Sequence, residues 1–110
     1  MDGPLWLVGA GNMGGAMLRG WLADGMEPAR ITVIDPGAQN LPEGVMALPA
    51  PPPDGAAPAT VVLAVKPQLL DVVAIALAPA LEAETLLVSV LAGVEIAALR
   101  ARFAAPRAVA

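Results

Sequence analysis

The fold is decided by Leu5-Trp6-Leu7-Val8-Gly9-Ala10-Gly11-Asn12-Met13-Gly14, read together with Ile31-Thr32-Val33-Ile34-Asp35. Leu5–Val8 is a continuous apolar run, the pattern of a strand buried on both faces of a parallel sheet. It ends at Gly9-x-Gly11-x-x-Gly14. Met13, Ala16, Met17, Gly20 and Trp21 then recur at i, i+3, i+4, i+7 and i+8. That spacing predicts a helix with one apolar stripe, stopping near Gly25 as a C-terminal glycine. Ile31–Ile34 is rich in β-branched residues and predicts a second strand, halted by Asp35-Pro36-Gly37.

Glycines spaced in this way are common. Their context here is more specific: they follow a strand, open a helix, and are answered by an acid, Asp35, 21 residues after Gly14 at the end of the next strand. In a dinucleotide site Gly9 permits the tight turn, Gly11 lets a pyrophosphate approach the backbone, and Gly14 lets helix and strand pack closely. The free N–H groups and positive end of the helix hold the phosphates. The plain alternative is three turn glycines joining a strand to a helix with no ligand.

Asp35 stands where a carboxylate accepts hydrogen bonds from the adenosine ribose. A 2′-phosphate about 5 Å away would meet roughly 3 kcal/mol of repulsion per unit charge at an effective dielectric near 20. The next basic residue is Lys66. The cofactor expected is NADH or NADPH, with Asp35 leaning towards NADH. Two alternatives stay open: Asp35 caps the Pro36-Gly37 turn, or it rotates aside and tolerates NADPH.

Residues 36–59 hold most of the prolines and predict loop, with a short strand around Val45–Leu48 and a Pro/Ala-rich surface loop at 49–59. Thr60–Val65 predicts a strand. Lys66-Pro67 opens a helix, with proline in the first turn and Leu70, Val73 and Leu77 on the inner face. Leu86–Val90 predicts a strand, Glu95–Phe103 a helix with Ile96, Leu99 and Phe103 on one side, and Ala108–Ala110 the start of another strand. Such alternation implies a parallel sheet with right-handed crossovers. The expected fold is α/β: a Rossmann-type, doubly wound, three-layer sheet, with residues 1–110 as one NAD(P)-binding domain.

Ligands in open α/β sheets bind beyond the carboxyl ends of the strands. Ala64-Val65-Lys66-Pro67-Gln68 lies at such an end, so Lys66 and Gln68 are directed to the same crevice as the glycines. Lys66 suits a phosphate or a substrate carboxylate; a merely solvated lysine is awkward at a positive helix end. Ser89, Ala92 and Gly93 end the following strand and leave room for a nicotinamide ring, although simple turn chemistry explains them almost as well. Trp6 and Trp21 read as core or interface, and Met13 and Met17 as core. Arg100, Arg102 and Arg107 read as a solvated face.

Composition sets the outer limits. The 110 residues are 57% apolar and 15% charged, with 24 alanines and a mean hydropathy of +0.70. That is too apolar for a disordered chain. The net charge is −4, with six scattered basic residues, which argues against nucleic-acid binding. With no Cys and no His, thiolate chemistry, Ser-His triads and zinc sites lack their residues. The charge-free apolar runs, Gly55–Val65, Val72–Leu81 and Thr85–Val94, are far shorter than the ~20 residues of a spanning helix. The N-terminus lacks the basic start of a signal peptide. A soluble, cytoplasmic protein is expected.

At Gly9-Ala10-Gly11-Asn12-Met13-Gly14-x-Ala16-Met17 the sequence resembles the pyrroline-5-carboxylate reductases. The similarity continues through Asp35-Pro36, Ala64-Val65-Lys66-Pro67-Gln68 and Val88-Ser89-x-x-Ala92-Gly93-Val94, so it covers nearly the whole chain. The Val-Lys-Pro-Gln and Ser-x-x-Ala-Gly segments are its more specific parts. Phosphogluconate-type hydroxyacid dehydrogenases and deazaflavin-dependent NADP reductases resemble the chain less well. The resemblance implies an oxidoreductase of proline biosynthesis, passing a hydride from NAD(P)H to the imine carbon of pyrroline-5-carboxylate to give L-proline. It implies that Gly9–Gly14 hold the pyrophosphate, with Asn12 and Met13 giving backbone contacts. It places Ala64, Val65, Lys66 and Pro67 along the ribose and nicotinamide, and Ala92 and Gly93 at the nicotinamide's border.

The chain departs from the family in three ways. No Asn follows Asn40 in the loop where the family often has one at the adenosine ribose. Leu91-Ala92-Gly93 replaces the usual Ala-Ala-Gly. The family continues past the position of Ala110 with a Met-Pro-Asn-Thr-Pro loop and a helical domain that forms the homo-oligomer and the substrate pocket. The resemblance therefore implies that the catalytic groups lie there and that these 110 residues bind cofactor with little or no turnover. Another imine or hydroxyacid dehydrogenase, or a stand-alone dinucleotide-binding module without chemistry, are the alternatives.

Overall fold

Continuous apolar runs need cover on both faces, and in this chain they pair in parallel between helices that supply it. In the computed structural model, which describes residues 3–52 and 55–110, β1 (Leu5–Val8), β2 (Ile31–Ile34), β3 (Met46–Leu48), β4 (Thr60–Leu63), β5 (Leu86–Ser89) and β6 (Ala108–Val109) form one sheet. Every pairing is parallel and the order is β3-β2-β1-β4-β5-β6. The centre of the register sets Leu5 opposite Ile31 on one side and Thr60 on the other. The chain winds outward from β1 to β3, then returns to lay β4 against β1. The winding reverses between β1 and β4, which opens a crevice at the carboxyl ends of those strands. This is the expected Rossmann-type α/β sheet.

Alternate side chains divide the core into two layers. Leu5 and Leu7 of β1 join Ile31, Val33 and Val62 under Leu18 of α1 (Asn12–Ala23). Trp6 and Val8 face the other way, with Val61, Leu63 and Leu87, under Leu70, Ala74 and Leu77 of α2 (Leu70–Leu77) and Leu99 of α3 (Ile96–Arg102), with Phe103 just past its end. Buried Thr85 ties the 58–60 approach to β5, its hydroxyl donating to the Pro58 carbonyl at 2.8 Å.

The observed elements shift several expected boundaries. β4 ends at Leu63 and β5 at Ser89, and a 3₁₀ turn, Pro67–Leu69, precedes α2. The expected stripe of α1 is rotated. Met13 is 57% exposed, and Ala16 and Gly20 also face solvent, while Gly14 and Leu18 are buried. Met17 and Trp21 pack at the flank. Gly14 forces this rotation because the helix meets the strand there. Ile96 is likewise exposed, at 54%, whereas Leu99 and Phe103 are buried. It opens α3, and side chains tilt towards a helix's N-terminus, so it overhangs the packed part.

Arg100 and Arg102 are more than a solvated face. Arg100 donates to the carbonyls of Pro106 and Arg107, both at 2.6 Å, and so steers the chain into β6. Arg102 reaches Asp71 of α2 at 2.6 Å and the Ala98 carbonyl at 2.8 Å. Arg107 stays exposed, 3.5 Å from Glu84. Among the described residues no helix is long and apolar enough to cross a membrane. Met1 and Asp2 of the N-terminal reading, and Pro53 and Asp54 of the 49–59 loop, lie outside the described residues.

The rotation of α3 can be measured. Phe103→Ala should cost about 3–5 kcal/mol, and Ile96→Ala no more than about 0.5 kcal/mol, by denaturant unfolding. Comparable losses for the two would mean that the helix is turned differently.

Candidate cofactor site

Three backbones meet at the carboxyl end of β1, and two glycines are there because nothing larger fits. Gly9 has φ +96°, and a Cβ on it would lie 2.7 Å from the Ala64 carbonyl oxygen. Its N–H donates to Ile34 O at 3.0 Å. A Cβ on Gly14 would overlap the carbonyl oxygen of Gly9. Gly11 differs: a Cβ there would meet nothing within 4 Å. The protein's own packing explains two of the three glycines and leaves the third facing open space.

Gly11 is the N-cap of α1. The Gly15 N–H donates to its carbonyl at 2.7 Å, the first bond of the helix. The N–H groups of Asn12, Met13 and Gly14 come before that bond and have no acceptor four residues back. Asn12 and Met13 are exposed and Gly14 is buried. This turn therefore offers backbone donors and a positive helix end to an anion.

Asp35 holds the loop from the side. Its Oδ2 accepts the Ala10 N–H at 2.8 Å and its Oδ1 accepts the Gly37 N–H at 2.8 Å. The second bond is the expected turn cap. The first, across 25 residues, escapes sequence reading, because it depends on β1 and β2 being paired. The main chain of Asp35 is also fixed, its N–H donating to Leu48 O at 2.9 Å. Each carboxylate oxygen keeps a second lone pair for another donor.

These elements border a cleft of about 520 Å³. Gly9, Gly11, Asp35, Pro36, Ala64, Val65 and Lys66 line one part of it, so seven of the expected residues come together. The rest of the lining includes Pro49, Ala50 and Pro51 before β4, Leu69 of the 3₁₀ turn, and Val72, Val73 and Ala76 from α2. Sequence reading missed this wall. Its signal was an α2 that is apolar almost all round, which one inner face of Leu70, Val73 and Leu77 does not account for.

Other expected residues lie elsewhere. Pro67 and Gly93 border a separate groove of about 370 Å³, with Asp71 and Arg102. Ala92 is exposed beside Gly93, and the Ser89 hydroxyl accepts the Leu91 N–H at 3.1 Å, ordinary turn chemistry. Lys66 is exposed at the rim of the cleft, and Gln68 is exposed nearby.

The two kinds of glycine should respond unequally to one methyl group. Gly14→Ala should cost about 1–3 kcal/mol or more through overpacking. Gly11→Ala should cost no more than about 1 kcal/mol, the exchange of a tolerated N-cap residue for a poorer one. Thermal unfolding of both variants checks this, and a large loss at Gly11 would mean that its open space is filled by the protein itself.

Comparison with known proteins places this geometry. A curated pyrroline-5-carboxylate reductase from Pseudomonas aeruginosa is 41% identical over 107 residues, covering 93% of this chain and 39% of the relative. Among solved structures, pyrroline carboxylate reductase from Plasmodium falciparum with NADP bound superposes at a TM-score of 0.75 and 20% identity, covering 93% of this chain and 38% of that one. Pyrroline-5-carboxylate reductase from Coxiella burnetii superposes at 0.76 and 24% identity, covering 94% and 40%. At those identities the superpositions establish the shared fold. The chain thus spans about two fifths of the length of these relatives. A family model matches residues 5–93, from β1 through the glycine loop and the β1–β4 crevice to the turn after β5, and on that match the chain belongs to the family described as NADP oxidoreductase, coenzyme F420-dependent.

Proposed function

We propose that this chain is the cofactor-binding part of an NAD(P)H-dependent pyrroline-5-carboxylate reductase, with residues 1–110 as its dinucleotide domain. The observation that carries the reading is Gly11. It caps α1, borders the cleft, and has no packing reason to lack a side chain. A pyrophosphate against that backbone supplies the reason. The 41% identical relative, itself named a pyrroline-5-carboxylate reductase, supports the choice of reaction.

In this reading Gly9–Gly14 receive the pyrophosphate, through the free N–H groups of the first turn of α1. Asp35 takes a ribose hydroxyl on a spare lone pair. Ala64 and Val65 form the floor, and Lys66 at the rim meets a phosphate or the substrate carboxylate. Pro67, Ala92 and Gly93 belong to the nicotinamide side. The bound cofactor supplies the hydride for reducing the imine carbon, giving L-proline. The chain's own part is to hold and orient it. In this reading the groups that bind the imine, and the contacts of a homo-oligomer, lie in parts of the whole enzyme outside residues 1–110.

The family description names NADP, yet Asp35 favours NADH in this chain. Both of its oxygens are engaged by backbone N–H groups, so the carboxylate does not swing away from a 2′-phosphate without releasing the glycine loop.

Calorimetric titration with NADH and NADPH, separately, tests the reading. NADH should bind and bind more tightly. Gly11→Val should abolish binding of both while the folded chain persists. Failure of both cofactors to bind at millimolar concentration would overturn the reading.

A further inference from the structure

We infer that a groove beside Trp6 is a second ligand site, which takes a small apolar amine carrying an uncharged carbonyl. The groove holds about 470 Å³, within the range of small-molecule pockets. Pro51 and Pro52 border it from the segment before β4, Pro79 and Ala80 from the turn after α2, together with Trp6 and Glu82. Among the described residues it shares only Pro51 and Ala76 with the cofactor cleft. Trp6 comes two residues before Val8 on the same sheet face, so the groove sits nearer the amino ends of the strands, away from the glycine loop.

Two uncommitted groups meet at this groove. Trp6 is only 6% exposed, yet among the described residues its indole N–H has no acceptor. A buried indole N–H ordinarily has one. The group is not sealed in, because no fully buried side-chain nitrogen or oxygen among the described residues lacks a partner. The N–H therefore reaches accessible space, and the groove is the cavity that Trp6 borders. Glu82 is the second group. It is exposed and makes no ion pair among the described residues. Its main chain is fixed, since its N–H donates to Thr85 Oγ1 at 3.3 Å and its carbonyl accepts the Thr85 N–H at 3.1 Å. No other charged residue among those described borders the groove. An anion would meet repulsion there with no countercharge, whereas an ammonium group gains a partner. The indole N–H is a donor only, so the ligand brings the acceptor. A carboxylate would bring the excluded charge, which leaves an uncharged carbonyl. Proline, alanine and leucine side chains complete the lining and suit an apolar body.

Heteronuclear NMR of the chain tests this, because it reads the two indole N–H groups separately. Trp21→Phe assigns them, and Trp21 packs in the other core layer. Titration with valinamide should shift the Trp6 indole signal along a saturating curve and leave Trp21 in place. Isobutylamine keeps the amine and the branched body without the carbonyl, and should bind about fivefold more weakly or worse. Isovaleramide keeps the carbonyl without the amine, and should bind about threefold more weakly than valinamide, the worth of an exposed charge pair. Glu82→Gln, at an exposed position, should bring valinamide down to the affinity of isovaleramide and leave isovaleramide unchanged. A Trp6 signal unmoved at tens of millimolar valinamide would mean that water alone meets the indole, and would overturn the inference. Isobutylamine binding as well as valinamide would overturn it too, since the carbonyl would not be read. Parallel, unsaturating shifts of both tryptophans, or an equal loss of both amides in Glu82→Gln, would do the same.

Discussion

The structure depends on how closely α1 approaches the end of β1. A single methyl group on Gly14 would occupy the space of the Gly9 carbonyl oxygen, and one on Gly9 would press on Ala64 of the neighbouring segment. Three backbones therefore converge where no side chain fits. The approach sets the rotation of α1, because the face that carries Gly14 must be the face that meets the sheet. Leu18, one turn on, then becomes the buried anchor, and Met13 is turned outward. The same approach leaves the first N–H groups of the helix at the crevice between β1 and β4, where the winding of the sheet reverses.

Asp35 converts that arrangement into a held one. β1 and β2 are paired along their length, and one backbone bond holds the first residue after each strand, Gly9 to Ile34 O and Asp35 to Leu48 O. The carboxylate bonds to one loop with each oxygen. A charged acceptor on backbone donors is stronger than a neutral pair, so the glycine loop is shaped before any ligand arrives. A preformed loop spares binding the entropy of ordering it. The acid that selects between cofactors in the functional reading also builds the surface on which either cofactor lies.

Much of this was legible in the sequence, for physical reasons. Strands covered on both sides must be largely apolar, so Leu5–Val8, Ile31–Ile34 and the run at Thr60–Val65 announce themselves. The glycine spacing and Asp35 follow from backbone requirements that few other residues meet. The rotation of α1 was not legible. Met13, Gly14, Ala16 and Met17 all count as apolar or small, so periodicity leaves two adjacent stripes equivalent. Only the close contact at Gly14 separates them. The bond from Asp35 to Ala10 was hidden because it belongs to strand pairing and not to either segment. The α2 wall of the cleft was hidden because an apolar helix surface reads as core unless the neighbouring element is known to be absent.

That neighbour is the remaining piece of the logic. Parallel strands need a long crossover, usually helical, yet β3 and β4 are joined through residues 49–59, whose described part carries no helix. Pro51 and Pro52 border one groove with Trp6, Ala80 and Leu81, so prolines stand where a helix would be thicker. Proline has little backbone freedom to lose on folding and no N–H that needs a partner. Such a segment holds its shape without a hydrogen-bonded ladder. A helix in the same place would bury Val72 and Ala76 against its own side chains and close the cleft. The proline crossover leaves that apolar surface uncovered next to the glycine loop.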